Sequence, residues 1–376
     1  MGSTGSNAIW YVGPGGEAAP CDAPDFVVGV AGDGSDGAAI QAAVDAASTG
    51  DTVHLCDGVY DLTTGIDVST ATATALTFEG ESTAGTVVDG ADAVRLFDAT
   101  GRDVTFVGLT LTNGHATDGD GGAVIGATVT VIGADLTSNT ASGASGTGGA
   151  VRASVAVTTV GGTFAGNVAA KYGGAVWAAG PIVVVGTTFS GNASIGTDGS
   201  GYGGAVMSGT TVEVSGATFT GNTAAGATYS AGGAIWAELS VSATDATFTE
   251  NSSGSDGGAI LAGAAVEVSN GTFTGNAAAG SGGAIDATGD VTAGDSAFTA
   301  NVAGFAGGAI SAGGDVTIAG SEFSANSTAA GDGGAIYGAA DVASSGSRYL
   351  DNTSGVVDGA STGGGAIAAA TSVTSS

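Results

Sequence analysis

Apolar and polar residues alternate along most of this chain, in short runs of period two that glycine interrupts. Period two places alternate side chains on opposite faces of a strand, so the runs predict β-strands. From residue 121 onward the runs keep a common phase. Gly-Gly-Ala recurs with its first glycine at 121, 148, 173, 203, 232, 257, 282, 307, 333 and 364. An Ile or Val follows each time, from Val124 and Val151 to Ile336 and Ile367. A second Val/Ile column runs through Val157, Ile182, Val212, Val241, Val266, Val291, Val316 and Val342. A third column is aromatic and precedes an asparagine by three residues. It runs from Phe164/Asn167 through Phe189/Asn192, Phe219/Asn222, Phe248/Asn251, Phe273/Asn276, Phe298/Asn301 and Phe323/Asn326 to Tyr349/Asn352, with Leu136/Asn139 in the first unit.

The distance from the first glycine to the asparagine is 19 residues in eight units and 18 in the first, whereas the return to the next glycine takes from 6 to 12. A rigid segment alternating with an elastic one predicts stacked coils with loops on one edge. The fold class is therefore all-β, a right-handed single-stranded parallel β-helix of about 25–30 residues per coil. Each coil should hold three short strands, with an inward ladder from each. Coils of this kind stack about 4.8 Å apart. The asparagines predict a buried amide ladder at a turn, and the glycine pairs predict corners with positive φ.

Before residue 121 the repeat is weaker. Ser35-Asp36-Gly37 leads into Ala38–Ser48, where Ile40 and Val44 lie four apart. That spacing predicts a short amphipathic helix capping the open end of the solenoid. The expected organisation is a cloning remnant over 1–6, a cap with irregular first coils over 7–120, and regular coils over 121–376 that break off within a repeat. Cys21 and Cys56 both fall in the cap region, and a disulfide between them would imply an oxidising compartment.

Composition narrows the partners. The chain has 376 residues, 73 of them glycine, with 5 Lys+Arg against 35 Asp+Glu and a net charge near −30. Such a surface repels nucleic acid and anionic lipid, and it tolerates high salt well. No apolar run is long enough to span a bilayer as a helix, so no membrane insertion is expected.

The paired Gly-Gly-Ala-Ile and Phe-x-x-Asn marks resemble the repeats of chlamydial polymorphic outer-membrane proteins and, more widely, pectin-lyase-like β-helix proteins. The stretch Ile40-Gln41-Ala42-Ala43-Val44-Asp45-Ala46-Ala47, followed by Gly50-Asp51-Thr52-Val53, is similar to the N-terminal cap of that superfamily. The resemblance spans roughly residues 25–376. It implies the fold and a secreted or cell-surface location. It leaves function open, because that class holds adhesins, lyases, glycosidases and tail-spikes alike.

Three sets of residues are candidates for function. Asp290, Asp315 and Asp341 share one place in successive coils, with Asp286 one strand step away. This column could serve a polysaccharide hydrolase or hold calcium, and each Asp could equally cap a turn and face solvent. An outward column reads Ile125, Arg152, Trp177, Met207, Trp236, Leu261, Asp286, Ser311 and Tyr337. Its stretch Arg152, Trp177, Met207, Trp236 and Leu261 predicts an apolar strip for a glycan, a protein partner or a second copy. Thr218, Thr220, Thr247, Thr249, Thr272 and Thr274 flank the Phe column in Thr-x-Thr ranks that look like ice-binding faces of some antifreeze proteins. The loop acids Asp118, Asp120, Asp198, Asp256 and Asp332 and the two histidines, His54 and His115, are expected to be solvated or structural. Of the cations Arg95, Arg102, Arg152, Lys171 and Arg348, only Arg152 and Lys171 are expected near one another, without an acidic cluster around them. The favoured function is a non-enzymatic extracellular stalk or adhesin that binds a glycan or surface protein and needs no cofactor. The alternatives are a carbohydrate-active enzyme and an ice-binding protein.

Overall fold

The computed structural model describes residues 9–13, 26–28, 36–117, 119–357, 360–361 and 365–376. It is a parallel β-solenoid whose coils stack through three long sheets of 25, 12 and 9 strands. One coil contains the strands Val176–Ala178, Ile182–Val185, Thr188–Ser190 and Ala193–Ser194. The first two of these belong to the largest sheet, and the other two to the second and third sheets. Each therefore pairs with its equivalent one coil later, as Thr188-Phe189-Ser190 does with Thr218-Phe219-Thr220.

The coils from Val176 to Thr328 thus have four strands rather than the three expected, while in the two coils before them the first two strands run together as Val124–Ile132 and Val151–Val160. The additional one is the two-residue strand that follows each asparagine. Its inward position is occupied by Ala141, Ala169, Ser194, Ala224, Ser253, Ala278, Ala303 and Thr328, all buried. Small and hydroxylic residues do not register as an apolar column, which is why the sequence pattern hides this strand.

The three expected ladders are inside. Phe164, Phe189, Phe219, Phe248, Phe273, Phe298 and Phe323 are fully buried. Their rings stack at 4.6–4.9 Å with interplanar angles of 3–15°. That is the coil spacing, so each ring lies flat on the next, as far as offset stacking permits. Beside them the asparagines form a continuous ladder. In Asn222 the side-chain amide donates to the Oδ1 of Asn251 at 2.9 Å and to the carbonyl of Phe189 at 3.0 Å. Its backbone N–H donates to the same Oδ1 at 3.0 Å. The pattern repeats from Asn139 to Asn352, so the buried amides are satisfied along the axis.

The two glycines of each pair have different tasks. The first, from Gly121 to Gly333, has φ of 59–66°, the left-handed conformation expected. The second does not, but a Cβ on Gly233 would lie 2.0 Å from the carbonyl oxygen of Gly258 in the next coil. It is glycine because the adjacent coil leaves no room.

At the N-terminal end the helix is Asp36–Ala46, with Ile40 and Val44 fully buried as their spacing predicts. It packs on the strands Ile9–Gly13, Phe26–Val28 and Gly58–Asp61. Of the two cysteines, Cys56 is fully buried and Cys21 lies outside the described residues.

Candidate functional site: the aromatic loop edge

The elastic segments between asparagine and glycine are long in two successive coils, Asn192 to Gly203 and Asn222 to Gly232. There they have length enough to form strands of their own, Ser200–Tyr202 and Tyr229–Ala231, which pair in parallel. The residue before Gly-Gly-Ala is Tyr172 in one coil and Tyr202 in the next, and the two are bridged in register. Coil spacing then stacks their rings at 5.0 Å. Tyr202 stacks on Trp236 at 5.4 Å and meets Tyr229 edge-on at 5.9 Å.

The two cations of this region sit on the same edge, each on an aromatic face and each with an acidic partner. Arg152 lies 5.0 Å over Trp177 and 3.5 Å from Asp120. Lys171 lies 4.8 Å over Tyr172 and 2.8 Å from Asp198. The Lys171–Asp198 hydrogen bond holds the carboxyl below and the ammonium above their ordinary ranges, so both remain charged. No acidic cluster was expected around these cations, and each has a single acid, but Asp120 and Asp198, expected to be solvated turn residues, are paired with them. Loop register had concealed the pairing.

At the other end of the edge the charge is negative. Asp256 accepts the Tyr229 hydroxyl at 2.9 Å and the Ser281 backbone N–H at 2.8 Å. Asp286 is pushed up to about 7 by burial, moderated by a hydrogen bond from Ser311 and raised further by Asp256. Burial and then Asp256 push the Tyr229 phenol upward as well. Near neutrality the two carboxyls therefore differ, Asp256 accepting hydrogen bonds while Asp286 is half protonated and able to donate.

The outward strip is where its phase predicts, but it is not bare. Val176 and Ala178 are fully buried while Trp177 between them is partly exposed, and the same holds for Trp236 and Leu261. Met207 is only 8% exposed. Tyr202 covers Trp236, and the Trp177 indole N–H is buried without a hydrogen-bond partner. Tyr229 is exposed, as is Phe305 on a later loop, and the strip pattern contained neither. Tyr172 and Tyr202 could have been found, since both immediately precede a Gly-Gly-Ala.

The structure does bring Asp290, Asp315 and Asp341 into one exposed column. Asp290 Oδ1 accepts the Asp315 backbone N–H at 2.8 Å, and Asp315 Oδ1 accepts that of Asp341 at 3.0 Å. The carboxylates thus tie coil to coil. Asp286 is set apart from them, facing Asp256. Among the described residues no group of three or more His, Cys, Asp or Glu side chains could hold a metal ion. The threonines stand in register, Thr218 on Thr247 on Thr272 and Thr220 on Thr249 on Thr274, flanking the buried phenylalanines. His54 lies 3.5 Å from Glu79. His115 does not stand alone either; it has both an acidic and a hydroxyl partner, 23 and 27 residues away.

Three stretches of the chain, residues 216–238, 245–263 and 270–288, match the Chlamydia polymorphic membrane protein repeat. The matched stretches span three successive coils, including Trp236, Asp256 and Asp286, so the repeat resemblance seen in the sequence holds. It points to a surface-exposed, outer-membrane-associated β-helix protein. No curated protein and no solved structure is significantly similar to the chain. No helix among the described residues is long and apolar enough to cross a membrane.

Proposed function

We propose that this protein is a surface-displayed β-helix that binds an extracellular glycan along its aromatic loop edge and carries out no chemistry on it there. The observation that carries this reading is the continuous run Tyr172–Tyr202–Trp236 with Tyr229 beside it, flanked by Asp256 and Asp286. Sugar recognition combines apolar C–H faces, which pack on aromatic rings, with hydroxyls that need both donors and acceptors. Tyr229 supplies the ring, Asp256 an acceptor, and Asp286 a donor or an acceptor. The solenoid supplies rigidity, so little ordering entropy is lost on binding.

The test is a panel of immobilised glycans and host-type cell surfaces, probed with the full chain and with Tyr229→Ala combined with Trp236→Ala. Truncating two aromatic anchors should weaken binding by at least 30-fold, since one buried anchor contributes about 2 kcal/mol. The fold should survive, because neither side chain points into the solenoid core. A double variant that binds as well as the wild type would refute the assignment of this edge.

A further inference from the structure

A second site lies outside that edge, at the junction of the irregular and regular coils. The strand His115–Ala116 pairs with Thr140–Ala141, His115 opposite Thr140, so Ser142 lies two residues beyond the histidine's partner on the next coil. His115 Nε2 is 2.7 Å from Ser142 Oγ. On its other side, His115 Nδ1 is 3.1 Å from Asp92 Oδ1 and 3.0 Å from the Asp92 carbonyl oxygen. Both Nδ1 neighbours can only accept hydrogen bonds, so in the neutral ring the proton resides on Nδ1. The Nε2 lone pair is then directed at the serine hydroxyl. A nucleophile, a base and a group that orients the base are in place, which is the arrangement that defines acyl-transfer triads on unrelated folds.

The turn that carries Asp92 is not a relaxed one. Ala91 and Asp92 have φ of 50° and 57°, and the turn closes with Ala93 N–H on the Gly90 carbonyl at 2.9 Å. Two successive left-handed residues are what Asn-Gly normally supplies, and a non-glycine there costs about 1–3 kcal/mol. The Asp89 carboxylate holds the turn by accepting the Ala91 N–H at 2.7 Å and the Asn113 side-chain amide at 3.0 Å. His115 also lines a cavity of about 420 Å³ with Asp67, Ser69, Arg95, Asp98 and Thr117. The lining is polar, and the space accommodates a small hydroxylated group.

We propose that Ser142, His115 and Asp92 form a hydrolytic site for short-chain carboxylic esters on a polar carrier. Ser142 Oγ attacks the ester carbonyl carbon as its proton passes to His115 Nε2. The carbon–oxygen bond to the carrier breaks, and that proton leaves with the alcohol. Water then attacks the acyl-serine, giving its proton to His115, which returns it to Ser142 as the acid departs. Asp92 is the positioning residue, keeping the imidazole in the required tautomer.

p-Nitrophenyl acetate is the probe for turnover and a fluorophosphonate the probe for the nucleophile, both applied to the full chain. The wild type should release p-nitrophenol above the uncatalysed rate, and mass spectrometry should place a single phosphonyl adduct on Ser142. Ser142→Ala and His115→Asn should each lower kcat at least 100-fold. Asp92→Asn should lower kcat while leaving KM near the wild-type value, a split that a merely structural aspartate would not give. Absence of both turnover and labelling in the folded wild type overturns the proposal. So does an adduct on any other residue, or a rate that survives Ser142→Ala.

Discussion

The asparagine corner and the tyrosine edge belong to the same coils, yet they obey different rules. At the corner, Asn222, Asn251 and Asn276 each donate two hydrogen bonds to the next coil and one to the preceding coil, at 2.9–3.0 Å, and the Phe rings beside them differ in tilt by a few degrees. At the edge, neighbouring coils contribute Lys171, Tyr172, Tyr202, Tyr229 and Asp256, no two contacts alike. The corner has one solution because a buried amide or ring must find its counterpart 4.8 Å away. The edge is free because its loops reach water. Stability therefore concentrates where the sequence repeats, and chemical individuality where it does not.

The strongest way to break this contrast is to cut the corner. Phe248→Ala removes a ring held on both faces by Phe219 and Phe273, and should destabilise by about 3–5 kcal/mol. Asn251→Ala deprives the Asn222 amide groups and the Phe219 carbonyl of their partners in a buried place, and should cost about 3 kcal/mol. Denaturant midpoints measure both. Glycan binding per folded molecule should be unchanged, and a selective loss of binding from either variant would mean that the two regions are not separable.

A change at the edge should act through pH instead. Asp286 has a folded value of about 7 against an ordinary value of 3.8. The folded protein thus retains a proton that the unfolded chain releases, and stability falls as pH rises from about 4 to about 7. Asp286→Asn removes that dependence. Its stability relative to wild type should grow across this interval by about 2 kcal/mol, with ~4 kcal/mol as the ceiling set by the full shift. Paired thermal melts at pH 4.5 and 8 read the difference, and parallel curves for the two proteins would show that Asp286 is well hydrated.

This asymmetry also explains what was legible beforehand. The Val, Phe and Asn columns could be read from the sequence because each inward position constrains its equivalent one coil later. The strand after the asparagine was hidden because Ala, Ser and Thr fill its inward position. Trp177 and Trp236 face outward as their phase predicts, but the covering of Trp236 by Tyr202 was not visible, since loop lengths of 6–12 residues leave register undefined. Asp92, His115 and Ser142 fell in the least regular coils, 23 and 27 residues apart, where no repeat pointed to their meeting.

The smallest effect is expected on the threonine face, which shares traits of both regions. Its ranks Thr218–Thr247–Thr272 and Thr220–Thr249–Thr274 are as regular as the corner but point away from the core. Along a strand such threonines lie about 7 Å apart and between coils about 4.8 Å, and the first rank is interrupted at Ala297, then by the Glu322–Arg348 pair, while the second continues through Thr299. Thr247→Tyr replaces one outward β-former with another, so stability should change by less than about 0.5 kcal/mol. Binding at the tyrosine edge should be unaffected, because Thr247 belongs to a different sheet from Trp236. Measuring thermal hysteresis and ice-crystal shape with both proteins sharpens the point. Equal behaviour identifies the face as a solvated wall of the solenoid. Hysteresis in the wild type that vanishes in the variant would show that a regular face can carry recognition too, and would limit the division drawn here to the corner alone.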